Sequence, residues 1–139
     1  FCVKSSFLKN INTMKTKILF TLSFLFGALF INAGLNKFFN YMPMPTDLSE
    51  EMVKLNSSFV DMGWFLPLVA VIEIIGGLLF IISKTRALGA IMIFPIMTGI
   101  LLIHLFQDRS GLLIASILFC INLWVILENK EKYEHLIES

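Results

Sequence analysis

Four long apolar runs divide the chain, and polar or charged segments separate them. The runs cover residues 18–39, 64–83, 87–106 and 111–127. Each is about 17–22 residues long, the length that an α-helix needs to cross about 30 Å of hydrocarbon. Inside lipid such a segment must be helical, because no water is present to satisfy its backbone groups. The pattern therefore predicts an all-α transmembrane four-helix bundle rather than the core of a soluble protein.

The one sizeable loop, residues 41–63, carries a different pattern. It opens with Pro43 and Pro45, which disfavour a helix at the residues before them. Asp47 followed by Glu50 resembles a helix N-cap. Apolar residues then recur at helical spacing: Leu48, Met52, Leu55, Phe59 and Met62. We predict a short amphipathic helix in this first outer loop, which is either an ordered cover for the helix ends or a lid over a site.

Charged residues are divided unequally between the two sides of the predicted spans. One side carries most of the basic residues, namely Lys4, Lys9, Lys15, Lys17, Lys84, Arg86, Lys130 and Lys132. On the opposite side, acidic residues offset Lys54 and Arg109. Because loops rich in lysine and arginine stay in the cytoplasm, both chain ends are predicted to be cytoplasmic.

These boundaries give three segments: a basic cytoplasmic segment at residues 1–17, the transmembrane domain at residues 18–128 and a charged cytoplasmic tail at residues 129–139. Met14 heads a short basic stretch and resembles a natural start, so residues 1–13 are either native or non-native upstream sequence. The following apolar run ends without a small-residue cleavage site, which favours a retained helix over a signal peptide.

The composition agrees with an integral membrane protein. The 139 residues are 57% hydrophobic and 15% charged, more apolar and less charged than soluble domains. The formal net charge of +1 gives no reason to expect a nucleic-acid partner. Cys2 and Cys120 form no CxxC pair or ligand cluster, so the sequence indicates neither a metal site nor a thiol-redox pair.

Three ionisable residues fall inside the predicted spans. Glu73 lies at the middle of span two, Lys37 near the outer end of span one and His104 near the outer end of span three. A lone charged carboxylate in the membrane costs at least about 2.5–3.5 kcal/mol. We therefore predict that Glu73 pairs with Lys37, with His104 close by. The cluster is either a structural ion pair that fixes helix register or a site that handles protons or contacts a ligand.

Neighbouring polar and small residues are candidates to support this cluster. Asn36 on span one and Asn122 on span four are candidates to extend the polar network through interhelical hydrogen bonds. Small residues mark the faces on which helices approach each other closely. The predicted packing glycines are Gly27, Gly34, Gly76 and Gly77.

Together these residues resemble a known family. Residues 34–37 (GLNK) end the first span, residues 71–77 (VIEIIGG) lie in the second, and His104 closes the third. Over residues 18–128 the chain looks like the DoxX family of small four-helix membrane proteins, and Lys37, Glu73 and His104 correspond by position to its polar residues. The resemblance implies a bundle of bacterial inner membranes. It also implies a loose association with oxidoreductases, since relatives named DoxD are subunits of a thiosulfate:quinone oxidoreductase.

Two classes of function stay open. The first is an accessory membrane subunit of a quinone- or thiol-linked oxidoreductase system, with a quinone reached through the partner because no cofactor motif is evident in this chain. The alternative is a small transporter or proton-coupled permease that uses Glu73. That alternative needs a homo-oligomer, because four helices are few for alternating access. The sequence displays no nucleophile, metal or cofactor motif for an enzyme acting alone.

Overall fold

The computed structural model describes residues 2–138 as six α-helices and one short 3₁₀ turn. The helices are α1 (Cys2–Phe39), α2 (Glu50–Asp61), α3 (Phe65–Ile81), α4 (Arg86–Phe106), α5 (Leu112–Glu128) and α6 (Lys130–Ile137), and the 3₁₀ turn is Arg109–Gly111. Helices α1, α3, α4 and α5 correspond to the four apolar runs, which confirms the predicted helical membrane bundle.

Three of these helices are each long and apolar enough to cross a membrane. They are α1, α4 and α5 taken with its preceding 3₁₀ turn. Helix α3 has 17 residues and counts as a fourth span when it is taken together with α2. Within the most apolar 18-residue stretch of each helix, the buried share is only 28% in α1, 22% in α4 and 17% in α5. The apolar surface thus faces outward, as it does in a protein whose solvent is lipid.

Helix α3 occupies the centre of the packing. It lies between α1 and α4, while α5 packs against α4 and contacts α1 more sparsely. Phe26 of α1 stacks on Phe80 of α3 with ring centroids 4.4 Å apart. The buried core around this stack consists of Phe26, Phe30, Phe80, Ala90, Ile93, Met97 and Val125.

Helices α1 and α3 approach each other to backbone contact at two levels. A Cβ atom on Gly27 would lie 2.6 Å from the Gly77 carbonyl oxygen, and one on Gly77 would lie 2.7 Å from the Gly27 carbonyl oxygen. Two turns further along α1, a Cβ atom on Gly34 would lie 2.7 Å from the Ala70 carbonyl oxygen. No side chain fits at these glycines, so the close contact exists because the residues are small.

The opposite face of α3 meets α4 in the same manner. A Cβ atom on Gly89 would lie 2.7 Å from the Gly76 carbonyl oxygen, and one on Gly76 would lie 2.8 Å from Cγ1 of Ile93. The short link between the two helices is fixed by Thr85, whose hydroxyl donates to the Leu79 carbonyl oxygen at 3.0 Å. This bond satisfies a carbonyl that the end of α3 would otherwise leave unpaired.

One end of the bundle is here called the basic end. It consists of the α1 segment around Lys15, the α3–α4 link at residues 82–85 and the C-terminus of α5. Lys15 Nζ lies 2.8 Å from Oε1 of Glu128. Tyr133 of α6 donates its hydroxyl to the Ala87 carbonyl oxygen at 2.6 Å. Burial raises the pKa of Tyr133, so this hydroxyl keeps its proton. Both ends of the chain therefore lie at the same end of the bundle.

The other end, the loop end, carries the predicted amphipathic helix as α2. The prediction of Asp47 as its N-cap is wrong: Asp47 lies in a turn, and the Ser49 hydroxyl accepts the Met52 N–H at 3.3 Å. Both residues suit a cap, but only Ser49 directly precedes the first helical turn. Helix α2 meets α3 at 93°. Phe59 and Phe65 stack across this bend with ring centroids 4.7 Å apart.

The first predicted segment is not a separate element of structure. Helix α1 runs without a break from Cys2 through the basic stretch into the apolar run, and all residues from 2 to 18 are exposed. The tail forms α6. Phe1 and Ser139 lie outside the described residues, and the cytoplasmic location of both segments stays a prediction.

The α1–α3 contact can be tested with two glycine substitutions of the same chemistry. Gly77→Ala should lower the free energy of unfolding by about 1–3 kcal/mol, the usual cost of overpacking, because the new methyl group meets the Gly27 carbonyl oxygen. Gly99→Ala is the matched control, since nothing lies within 4 Å of a Cβ atom there. Its expected effect is neutral, or a gain of about 0.5–1 kcal/mol. Unfolding of the purified protein with SDS measures both, and equal effects would contradict the contact.

Candidate functional site

The structure joins Lys37 and Glu73 directly. Lys37 Nζ lies 2.7 Å from Oε2 of Glu73, within both hydrogen-bond and ion-pair distance. Lys37 belongs to the last turn of α1, and Glu73 lies at the middle of α3. Helical side chains lean toward the N-terminus of their helix, so the Lys37 stem points from the loop end toward the middle of the bundle. That direction lets a shallow lysine reach a deeper carboxylate.

The two partners differ in their exposure. The Glu73 side chain is 3% exposed, whereas the Lys37 side chain is 26% exposed. The ammonium group therefore lies between the buried carboxylate and the protein surface. A charge-assisted hydrogen bond of this length is among the stronger polar contacts in proteins. Removal of the lysine alone would leave a buried carboxylate without a partner, which is the expensive case for an ion pair.

Small residues on both helices hold the pair in place. Gly34 lies one turn before Lys37, and Ala70 lies one turn before Glu73. These two small residues form one of the backbone contacts between α1 and α3. One of the two backbone contacts between the helices thus lies beside the ion pair, and the lysine stem spans the remaining distance to Glu73. Ile74 packs against Gly34 on the same side, which leaves no room for a larger residue there.

His104 occupies a different part of the bundle. Its Nδ1 lies 3.0 Å from the Asp108 carbonyl oxygen, and its ring packs against Gly111, where a Cβ atom would lie 2.5 Å from Cε1. Asp108 in turn accepts the Ser110 N–H at 2.9 Å, and its bonds from Ser110 lower the pKa of Asp108. Among the described residues, the hydrogen bonds and ion pairs of His104 connect it to this corner and not to Glu73.

The two asparagines predicted to extend the network have other partners. Asn36 Oδ1 accepts the Met42 N–H at 2.8 Å and so holds the start of the outer loop against α1. Tyr41 assists there by donating its hydroxyl to Asn32. Asn122 is fully buried, and its amide donates to the Ala90 carbonyl oxygen at 3.2 Å between α5 and α4. Both residues stabilise the bundle without contacting the ion pair.

Arg86 is a residue whose environment the sequence did not reveal. The sequence analysis used it as a topology signal, which implies an exposed side chain, yet the residue is only 6% exposed. Its Nε donates to the Phe80 carbonyl oxygen at 3.2 Å. One feature of the sequence could have predicted this position. The link between the two spans is very short, so a side chain at the start of α4 lies close to the last carbonyl groups of α3, which need a donor. Across residues 2–138, no group of three His, Cys, Asp or Glu side chains is arranged to hold a metal ion.

A double-mutant cycle tests the pairing of Lys37 with Glu73. Lys37→Met should lower the free energy of unfolding by about 3 kcal/mol, because Glu73 loses its partner while it stays buried. The double variant Lys37→Met/Glu73→Met should recover most of that loss, since an apolar pair needs no partner in this position. SDS-induced unfolding gives all the values required. A double variant as unstable as the sum of the single variants would contradict a direct interaction.

Comparison with known proteins identifies the family. The DoxX family model matches residues 18–105, which is more than half of the chain and includes Lys37, Glu73 and His104. Comparisons with curated proteins and with solved structures found no match. The helical membrane bundle and the family match agree with each other, and this chain therefore belongs to the DoxX family.

Proposed function

We propose that this DoxX-family protein is an accessory membrane subunit of an oxidoreductase system that is quinone- or thiol-linked. The observation that carries the proposal is the Lys37–Glu73 pair, with a carboxylate 3% exposed inside the helical bundle. Ionisable groups in this position are expensive and commonly mark a functional site. The oxidoreductase link rests on the relatives described above, and the partner supplies the redox cofactor.

The packing of α1 against α3 favours a fixed subunit over a carrier. Alternating access requires one group of helices to rock against another around the substrate site. Here the pair is beside the Gly34–Ala70 backbone contact, and on α3 Glu73 lies one turn before Gly77 of the second contact. Helices that touch at backbone level on two turns do not separate without losing that packing. The ion pair is therefore suited to contact a partner or ligand at a fixed place.

We also place the protein in the bacterial inner membrane with both chain ends in the cytoplasm. The Lys15–Glu128 and Tyr133–Ala87 contacts bring the two ends of the chain to the basic end of the bundle. Most of the lysines and arginines belong to this end, and the positive-inside rule assigns such an end to the cytoplasm.

A pull-down from membranes in mild detergent tests the subunit proposal. Wild-type protein should retain an oxidoreductase or a quinone, identified by mass spectrometry. Glu73→Gln should reduce that recovery about tenfold, because the loss of the carboxylate charge weakens the bond that holds the partly exposed Lys37 in place to contact the partner. Glu128→Gln is the matched control, because Glu128 pairs with Lys15 at the more exposed basic end. It should leave recovery unchanged.

The other outcomes distinguish the alternatives. Recovery of the bare protein from both wild type and variants would contradict the subunit proposal. Substrate uptake by reconstituted vesicles that is lost in Glu73→Gln would favour the oligomeric transporter instead. Equal losses in Glu73→Gln and Glu128→Gln would indicate a general loss of stability, and the amount of monodisperse protein on size-exclusion chromatography measures that directly.

Reporter fusions test the orientation. A reporter that is active only in the cytoplasm should be active when fused after Ser139, and inactive when inserted between Pro45 and Thr46 in the outer loop. The reverse pattern would overturn the positive-inside assignment.

A further inference from the structure

A groove at the basic end carries two cationic residues and no carboxylate. It is an open groove of about 480 Å³ between α1 and the α3–α4 link. Its lining consists of Thr16, Lys17, Phe20, Thr21, Ser83 and Arg86. Lys17 and Arg86 each stand directly before an apolar run, at residues 18 and 87. The groove therefore opens where the hydrocarbon ends and the lipid headgroups begin.

Arg86 is a buried charge without an opposite charge. Its side chain is 6% exposed, and its partners are the carbonyl oxygens of Phe80 at 3.2 Å and Ile81 at 3.5 Å. These carbonyl groups lie at the C-terminal end of α3, where they offset only part of the guanidinium charge. The part of the chain that the structure describes contains two ion pairs, Lys15–Glu128 and Lys37–Glu73, and neither includes Arg86. Buried charges are usually paired, so this one points to a missing anion.

Lys17 adds a second positive charge to the same groove. It is exposed, and it belongs to neither ion pair of the described residues. Glu128, a carboxylate at this end of the bundle, is bound to Lys15 at 2.8 Å. The Thr16 and Thr21 hydroxyls donate to the carbonyl oxygens of Asn12 and Lys17, so the groove's donors for an anion are its two cationic groups and the Ser83 hydroxyl. Two cations that line one groove attract the negative charge of a lipid phosphodiester.

A second, more apolar groove continues from the first along α1. It is an open depression of about 250 Å³ on the surface of α1, lined by Lys17, Ile18, Thr21 and Leu22. Lys17 and Thr21 belong to both grooves, so the two are adjacent. Ile18 and Leu22 lie further from the basic end, in the hydrocarbon region of α1. A cationic groove followed by an apolar one matches a headgroup followed by an acyl chain.

We propose that these adjoining grooves bind an anionic phospholipid, with its phosphate between Lys17 and Arg86 and an acyl chain beside Ile18 and Leu22. The bound phosphate supplies the counter-charge that Arg86 lacks. Because Arg86 also holds the last carbonyls of α3, the lipid stabilises the α3–α4 link. This inference does not depend on the oxidoreductase proposal, which concerns the opposite half of the bundle.

Native mass spectrometry of the detergent-purified protein tests the proposal. The protein is titrated with phosphatidylglycerol, and with phosphatidylcholine carrying the same acyl chains. Wild type should retain phosphatidylglycerol preferentially. Lys17→Gln should weaken that retention about fivefold, the usual effect of one basic residue at an anionic membrane surface. Lys84→Gln is the matched control, because Lys84 is an exposed lysine of the adjacent link that lines neither groove.

Three results would overturn the proposal. The first is equal retention of the two lipids by wild type. The second is an equal loss in Lys17→Gln and Lys84→Gln, which would indicate a diffuse surface charge and no defined groove. The third is displacement of phosphatidylglycerol by an excess of inorganic phosphate, which would assign the cations to a free anion. Lys17 is exposed, so Lys17→Gln is expected to fold and the comparison stays informative.

Discussion

The backbone contact between α1 and α3 is the constraint on which the rest of the bundle depends. Lipid tails are as apolar as leucine, so membrane helices associate through close packing and polar contacts and not through the hydrophobic effect. Gly27, Gly34 and Gly77 permit carbonyl oxygens of one helix to approach Cα atoms of the other. That distance sets where Lys37 meets Glu73. Gly76, on the other face of α3, permits the equivalent approach of α4.

The position of a residue along its helix axis could be predicted from the sequence, and the rotation of its side chain about that axis could not. Counting residues gave the four spans, and it put Lys37 within reach of Glu73 because the lysine stem is long enough to cross several ångströms of depth. His104 lies near the same end of the bundle, but its ring packs at the corner between α4 and α5. A difference of less than one turn in rotation decides which neighbours a short side chain meets.

The asparagines and the cap of α2 show the same limit on a local scale. Asn36 adjoins Lys37 in sequence and therefore points about 100° away around α1, where it binds the outer loop. Asn122 donates to a backbone carbonyl of α4. Every residue of α4 has such a carbonyl, so the sequence does not identify the partner. Asp47 and Ser49 both have side chains that suit a helix N-cap, and both follow Pro43 and Pro45, so the sequence permits α2 to begin after either residue. Only the path of the loop selected Ser49.

The length of α3 has a consequence for the membrane itself. Its 17 residues cover about 26 Å, whereas the hydrocarbon core of a typical bilayer is about 30 Å thick. The helix that carries the lipid-facing residues Leu68, Val71, Ile75 and Leu78 is therefore a few ångströms shorter than the hydrocarbon core. Hydrophobic mismatch of this kind thins the surrounding bilayer or sorts the protein into thinner regions. Such thinning beside α3 would bring water closer to Glu73, and the hydration of the buried carboxylate would then depend on lipid thickness.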